Sequence, residues 1–170
     1  MKRLLLAIAI CVGALSIPGA AFAGQSGDKG GGKDAHQRQP TRFFTSLSGA
    51  REVPPVATEA TGRITIRLGK DGIARYRVTF EDIHGVIAAH IHAPARPGSN
   101  AGVVQFLCGS PAVGAPPGTP ACTDEGFSGS FRMTPALLAF IRSGAAYVNA
   151  HTPAHPGGEV RGWLRSRGDD

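Results

Sequence analysis

The sequence predicts an all-β domain, a sandwich or barrel with one short helix. Apolar and polar residues alternate in several short segments, a pattern typical of half-buried strands. Glycine- and proline-rich turn signals separate these segments at close spacing. A single segment near residue 140 has the apolar spacing of an amphipathic helix. We expect one domain over residues 42–166, followed by a tail over residues 167–170.

The N-terminus has the pattern of a secretory signal peptide over residues 1–23. Lys2 and Arg3 precede an apolar stretch, and Ala21-Phe22-Ala23 resembles a small-x-small cleavage site. The apolar stretch is too short and too interrupted to span a membrane. The next residues, 24–41, are glycine-rich and polar, which predicts a disordered linker. We therefore expect a secreted or periplasmic protein without a transmembrane span after cleavage.

The first half of the domain predicts a strand followed by a hairpin. Residues 43–48 alternate as a first strand, and Pro54-Pro55 predicts an irregular connection, because proline cannot donate a hydrogen bond to a neighbouring strand. Residues 63–68 and 73–80 alternate again, and the turn 69–72 joins them as a hairpin. Each of these strands should bury one face and expose the other.

The second half predicts further strands and the helix. Thr134 suits the N-cap of that helix, Pro135 its first turn, and Gly144 its end. At about two and a half turns it is too short to be stable alone, so it should pack on the sheet. The remaining strands are predicted at residues 86–93, 103–107, 127–131, 145–151 and 158–164.

Charge gives little indication of a partner. The formal net charge is +6, with 18 basic and 12 acidic residues, and removing Lys2 and Arg3 leaves a net charge of about +4. The arginines are scattered, and no basic run is interleaved with aromatic residues, so nucleic-acid binding is not supported. Arginines that alternate along strands are typical of the solvated face of a sheet.

Two cysteines remain once the signal peptide is removed. Cys108 and Cys122 flank a glycine- and proline-rich loop, and in an oxidising compartment such a pair predicts a disulfide. The alternative interpretation is a pair of thiolate metal ligands, which are hard to keep reduced outside the cytoplasm.

Histidines form the main candidate site. His90 and His92 are two residues apart in a predicted strand, so both imidazoles should lie on one face. His151 ends another predicted strand, and His155 in the following loop is a candidate fourth ligand. Neutral imidazoles suit copper or zinc. Alternatively, the histidines bind backbone carbonyls or each other, with Asn149 and Thr152 as partners.

Acidic and basic residues near the C-terminus predict a structural contact. Glu159 and Arg161 are two residues apart in a predicted strand that also holds Trp163, so we expect an ion pair beside the indole. A catalytic acid with an anion-guiding arginine is the alternative, and Glu52 is a second candidate partner for an arginine. The sequence has no Gly-x-Ser-x-Gly elbow, phosphate loop or dinucleotide fingerprint.

Several motifs together resemble the CHRD domain family, first described in chordin. They are Leu47–Pro55, Ala89-His90-Ile91-His92, Tyr147–Thr152 and Gly158-Glu159-Val160-Arg161-Gly162, and the resemblance extends over about residues 42–165. It implies a secreted domain with an immunoglobulin-like or Greek-key β-barrel fold. The biochemical role of this family is poorly defined, so the resemblance indicates fold better than function.

A looser similarity is to copper/zinc superoxide dismutase, which also places a His-x-His pair on a strand of a Greek-key barrel. It implies that His90, His92 and His151 bind the metal. It also implies that Arg161 corresponds to the arginine that lies beside the metal, near the C-terminus, in that enzyme. The bridging histidine and the zinc-site residues of that enzyme have no counterpart here.

The sequence therefore predicts a non-enzymatic extracytoplasmic binding domain whose partner is an unidentified protein or a copper or zinc ion. The alternatives are a metalloenzyme with superoxide-dismutase-like chemistry and a metal-free structural or adhesion protein.

Overall fold

The structure is a computed structural model that describes residues 41–166. The predicted signal peptide, nearly all of the predicted linker and the predicted C-terminal tail lie outside the described residues. Among the described residues, no helix is long and apolar enough to cross a membrane.

The described residues contain nine strands, one α-helix and two short 3-10 helices, the second of which spans Pro111–Val113. The helix, α1, spans Pro135–Arg142, and a short 3-10 helix at Gly49–Arg51 follows the first strand. The strands are β1 (Arg42–Ser48), β2 (Thr61–Leu68), β3 (Ile73–Glu81), β4 (Ala88–His92), β5 (Val103–Cys108), β6 (Gly126–Arg132), β7 (Tyr147–His151), β8 (Val160–Trp163) and β9 (Arg165–Ser166).

All strands pair antiparallel in one sheet that curves into a nearly closed barrel. Its order is β5-β4-β7-β8-β1-β2-β3-β6, and β9 pairs with β1. The two edge strands, β5 and β6, approach each other across the remaining gap. Tyr76 on β3 also reaches this side of the barrel, where its hydroxyl donates to the carbonyl of Leu107 on β5. The predicted all-β class with one short helix is confirmed.

The alternation seen in the sequence decides which face of each strand lies in the core. On β3 the even positions are buried and the odd ones exposed, and on β2 Ile64 and Ile66 face the core. This arrangement leaves the arginines of both strands on the outer face, as the alternation predicts. Burial of the apolar face against the opposite wall of the barrel is the main stabilising contribution.

The helix α1 packs against the core through its apolar side, as the sequence predicts. Thr134 accepts a hydrogen bond from the Leu137 N–H at 3.2 Å, which satisfies one of the free donors of the first turn. Leu137 and Ile141 are buried. Gly144 follows with a positive φ of 72°, a conformation that favours glycine and ends the helix.

Cys108 and Cys122 form a disulfide with a sequence separation of 14. This bond ties the end of β5 to the loop that leads into β6. Closing a loop of this length stabilises a fold by about 3 kcal/mol in chain-entropy terms. The thiolate-ligand alternative for these cysteines does not apply to the oxidised protein.

Candidate functional site

Strand register brings the predicted histidines together on the outer face of the sheet. In the β4–β7 pair, His92 lies opposite Tyr147, His90 opposite Asn149, and Ala88 opposite His151. Directly opposed residues of an antiparallel pair point to the same face. His90, His92 and His151 therefore share one face, although they come from segments about sixty residues apart.

The three imidazoles converge, as the sequence predicts. Each offers one ring nitrogen, and these nitrogens all lie within 4.8 Å of one another. The ring centroids are 5.6 Å apart for His90 and His92 and 4.9 Å apart for His90 and His151. His90 and His92 are 8% and 7% exposed, so the site is shielded from bulk water.

Backbone carbonyls orient two of the imidazoles. His92 Nδ1 lies 2.8 Å from the carbonyl oxygen of Ala101, and His151 Nδ1 lies 3.0 Å from that of Pro156. Because a carbonyl oxygen only accepts, both histidines carry their proton on Nδ1 when neutral. Each Nε2 then presents a bare lone pair. Metal-binding histidines usually donate their other ring N–H to a backbone carbonyl or carboxylate in this way, which fixes the orientation of the ring.

Asn149 lies between the two lone pairs. Its Oδ1 is 2.9 Å from His92 Nε2 and 3.0 Å from His151 Nε2. Its Nδ2 is directed towards Glu52 and Gly158, where a Cβ built on Gly158 would lie 2.8 Å from Nδ2 and 2.5 Å from Glu52 Oε1. The Asn149 side chain therefore turns its acceptor oxygen towards the two Nε2 lone pairs of His92 and His151. These three acceptor atoms share no proton that could form a hydrogen bond between them.

Unpartnered polar atoms are concentrated at the same place. Among residues 41–166, three buried side-chain atoms have no hydrogen-bond partner: Glu52 Oε1, His90 Nε2 and Arg161 Nε. His90 and Arg161 belong to strands β4 and β8 of this face, and Glu52 contacts Arg161. Such unpartnered atoms cost free energy unless water or an ion satisfies them, so their presence in one cluster makes it the leading candidate for a functional site among the described residues.

A buried ion pair lies beside the histidines. Arg161 Nη2 is 2.8 Å from Glu52 Oε2, and both side chains are 2% exposed. Arg161 also lies over the Tyr147 ring at 4.0 Å from its centroid, and Tyr147 stacks on His92 with a centroid distance of 4.7 Å. Burial raises the pKa of Glu52, and the neighbouring Arg161 guanidinium opposes that rise.

The ion pair differs from the prediction, which paired Arg161 with Glu159. Glu159 lies before the first residue of β8, so the same-face rule for positions two apart in a strand does not hold there. Its carboxylate instead accepts hydrogen bonds from Thr58 at 2.8 Å and Thr152 at 2.6 Å. The alternative that paired Glu52 with an arginine is the one the structure contains.

Two smaller expectations about the site are also wrong. His155 lies outside the group of three histidines, so it does not supply the predicted fourth ligand. The turn that holds it places the carbonyl of Pro156, rather than an imidazole, next to His151. Thr152 donates to the Glu159 carboxylate and accepts from the backbone N–H of His155, so it contacts no imidazole. Asn149 contacts two imidazoles as expected.

Some residues of the site had no signal in the sequence. The carbonyls of Ala101 and Pro156 act through the backbone, and any residue type can supply a carbonyl. Asn100, in the loop after β4, accepts a hydrogen bond from Arg161, and its position depends on how that loop folds over the sheet.

Burial also keeps the histidines neutral. Desolvation, reinforced by His151 and His92, lowers the pKa of His90 to about 4. The pKa values of His92 and His151 are lowered as well, mainly by desolvation. Neutral imidazoles are the form that binds metal ions, so no proton has to be removed from the site at neutral pH.

These pKa values predict an acid-sensitive metal-free protein. Because His90 binds a proton near pH 6.5 when unfolded but only near pH 4 when folded, its stabilising contribution is present above pH 6.5 and is lost as pH falls towards 4. The free energy of unfolding should fall by up to about 1.4 kcal/mol per pH unit from this group. Urea unfolding between pH 7 and 5 measures it. In a His90→Phe variant the unfolding free energy should depend less steeply on pH. An unchanged dependence would contradict the attribution of the acid sensitivity to His90.

Comparison with known proteins supports one assignment. The family model described as CHRD domain matches residues 43–164, which is most of the chain and nearly all of the described part. No curated protein and no solved structure matches the chain at a significant level.

Proposed function

The chain belongs to the CHRD domain family, and on that premise we propose that it is an extracytoplasmic binding domain for a copper or zinc ion. His90, His92 and His151 are the proposed ligands. The oxidised Cys108–Cys122 pair and the signal peptide predicted from the sequence support a location in the periplasm or outside the cell.

The metal proposal rests on one observation: hydrogen-bond acceptor atoms of the histidines and of Asn149 face one another with no hydrogen atom between them. His92 Nε2 and His151 Nε2 each lie within hydrogen-bond distance of Asn149 Oδ1, yet none of these three atoms has a hydrogen to donate there. His90 can donate to one of them, from Nδ1 to His151 Nε2 at 3.1 Å, and that leaves its Nε2 without a partner. A cation is the species that satisfies such a set.

The donor set fits a first-row metal ion. Four tetrahedral ligands at about 2.0–2.1 Å from a zinc ion are separated by about 3.3 Å. The ring nitrogens of this site lie within 4.8 Å, so modest rotations of the imidazoles would bring them to that spacing. When bound, the ion would supply a Lewis acid with one position open to Asn149, to water or to an external ligand.

The protein's own residues hold the imidazoles in place for this role. The carbonyls of Ala101 and Pro156 fix the tautomers of His92 and His151, and Tyr147 fixes the plane of the His92 ring. Preorganisation of this kind reduces the entropy lost when the ion binds.

Arg161 favours a binding role over superoxide-dismutase-like catalysis. An arginine that guides an anion to a metal must present a free guanidinium. Arg161 instead contacts Glu52, Asn100 and the Tyr147 ring, and its side chain is 2% exposed. We therefore propose a metal carrier or metal-stabilised binding domain rather than an enzyme.

Calorimetric titration of the metal-free protein with Cu(II) and Zn(II) tests the proposal. We expect one ion per chain and a higher thermal unfolding temperature in the loaded protein, because an ion that binds only the folded state stabilises it. Assaying the copper-loaded protein for superoxide dismutation then separates a carrier from an enzyme. Absence of uptake for both ions would refute the proposal.

A further inference from the structure

Arginines that are scattered in the sequence lie together on the outer face of the barrel wall formed by β1, β2, β3 and β6. The register places Arg42 opposite Arg67, and Arg67 opposite Arg75. Arg77 occupies the next outward position on β3, and Arg63 lies two outward positions from Arg67 on β2, beyond Thr65. The arginine face is defined by Arg42, Arg63, Arg67, Arg75, Arg77 and Arg132.

This face is almost entirely basic. Its other outward-facing positions on the four strands are mostly hydroxyl-bearing, and Glu81 at the far end of β3 is the acidic one among them. Asp71, in the turn before β3, engages Arg75 at 2.8 Å, but both side chains are at least half exposed. Screening by solvent makes such a pair weak, so most of the positive charge remains available.

The arrangement is unfavourable for the sheet by itself. Like charges directly opposite on neighbouring strands repel, and Arg67 and Arg75 are such a pair. A surface needed only for solubility would mix both signs of charge. A face that carries this repulsion is better explained by an anionic ligand that neutralises it.

The geometry suits a ligand with repeated anionic groups. Neighbouring strands lie about 4.8 Å apart and alternate residues about 6.8 Å apart along a strand, so the guanidinium groups form a grid. Between them lies a shallow depression of about 420 Å³, whose lining includes Arg63, Thr65, Arg67, Arg75, Arg77 and Thr79. Arginine binds sulfate, phosphate and carboxylate groups through two parallel hydrogen bonds.

The residues between the arginines favour a polysaccharide. Thr65, Thr79, Ser128 and Ser130 present hydroxyls that can bind the hydroxyls of sugars. Phe44, 40% exposed, is the one aromatic side chain among the outward positions of these strands. Single-stranded nucleic acids are bound by stacking successive bases on several aromatic rings, and this face lacks such a series.

We propose that the arginine face binds a linear anionic polysaccharide. This inference does not depend on the histidine site, which lies on β4 and β7. Arginine stays charged at all physiological pH values, so binding should be independent of pH and strongly weakened by salt.

Fluorescence anisotropy with labelled heparin and labelled polygalacturonate tests the proposal, the first probe carrying sulfates and the second only carboxylates. The protein should bind at least one of them at low salt, and a preference would identify the anionic group. An Arg67→Thr/Arg77→Thr variant should bind about tenfold or more weakly, with a salt dependence reduced by about one unit of slope per arginine removed. Threonine suits an exposed strand position, so this variant should fold.

The matched control is Arg96→Thr/Arg142→Gln, which removes the same charge from a loop and from α1. It should change the affinity less than threefold. Equal weakening by both variants, binding of neither polysaccharide at low salt, or tighter binding of single-stranded DNA would each overturn the proposal.

A second measurement uses the unaltered protein and does not depend on folding of a variant. Phenylglyoxal modifies accessible arginines, and mass spectrometry locates the modified residues. Heparin or polygalacturonate should protect Arg63, Arg67 and Arg77 while leaving Arg96 reactive. Protection of all four to the same degree would contradict binding at the arginine face.

Discussion

Replacing both His90 and His92 by alanine should abolish binding of Cu(II) and Zn(II). The two substitutions remove two of the three convergent ring nitrogens and leave His151 with Asn149 alone. Loss of a group that only hydrogen-bonds a ligand typically costs about 10–100-fold in metal affinity, so loss of two direct ligands should exceed about a hundredfold. Calorimetric titration of the variant beside the unaltered protein measures the difference.

The chain offers a matched control for this experiment. An H84A/H155A variant also removes two imidazoles, but His84 is exposed and both histidines lie outside the cluster. It should bind the ion with unchanged affinity and stoichiometry. Equal uptake by the two double variants would place the metal elsewhere and refute the site.

A milder variant is needed because the His90→Ala/His92→Ala variant could lose metal binding simply by unfolding. His90 and His92 are buried, and truncating them leaves a cavity that itself destabilises the domain. His151 is half-buried, so His151→Gln should preserve the fold while removing one ligand. We expect this variant to unfold as cooperatively as the unaltered protein but to bind the ion more weakly. Unchanged affinity would exclude His151 as a ligand.

The second large effect is expected at the Glu52–Arg161 ion pair. Both side chains are 2% exposed, so Arg161→Met leaves an unpaired carboxylate in a nearly water-free position. Breaking a buried pair in this way typically costs about 3–5 kcal/mol of unfolding free energy. Glu52→Gln should be comparably destabilising, because it leaves the guanidinium unpaired. Urea unfolding of both variants measures the cost.

A double-mutant cycle separates the interaction free energy of the ion pair from the effect of losing each side chain by itself. The Glu52→Gln/Arg161→Met double variant should be less destabilised than the two single effects combined, because neither charge is then left unpaired. The exposed Asp71–Arg75 pair is the control, and Arg75→Thr should change the unfolding midpoint little, because solvent screens that contact and Asp71 keeps its hydrogen bond from the Ile73 N–H. Additive effects at Glu52 and Arg161 would show that the ion pair itself contributes nothing.

Much of the fold was predictable from local patterns. Alternation along β2 and β3 identified both the hairpin and its buried face, since a strand has a side-chain period of two residues. Thr134, Pro135 and Gly144 marked the helix because caps and terminal residues have strong local preferences. The Cys108–Cys122 bond could be anticipated from the spacing and the expected compartment.

The candidate site was predictable only in part. The spacing of His90 and His92 placed them on one face of a strand, and the convergence of His151 with them is confirmed. The ion pair was assigned to the wrong carboxylate, since Glu159 lies two residues from Arg161 but before the start of β8. Glu52 lies more than a hundred positions away, and no local rule connects it to Arg161.

The sequence by itself determined the strand faces, the helix ends, the disulfide and the identity of three candidate ligands. Each of these depends on residues a few positions apart or on the chemistry of one side chain. Only the tertiary structure decided that Ala101 and Pro156 orient the imidazoles, that Glu52 pairs with Arg161, and that separate arginines form one face. These contacts depend on strand order and register, which arise from packing of the whole barrel rather than from any short segment.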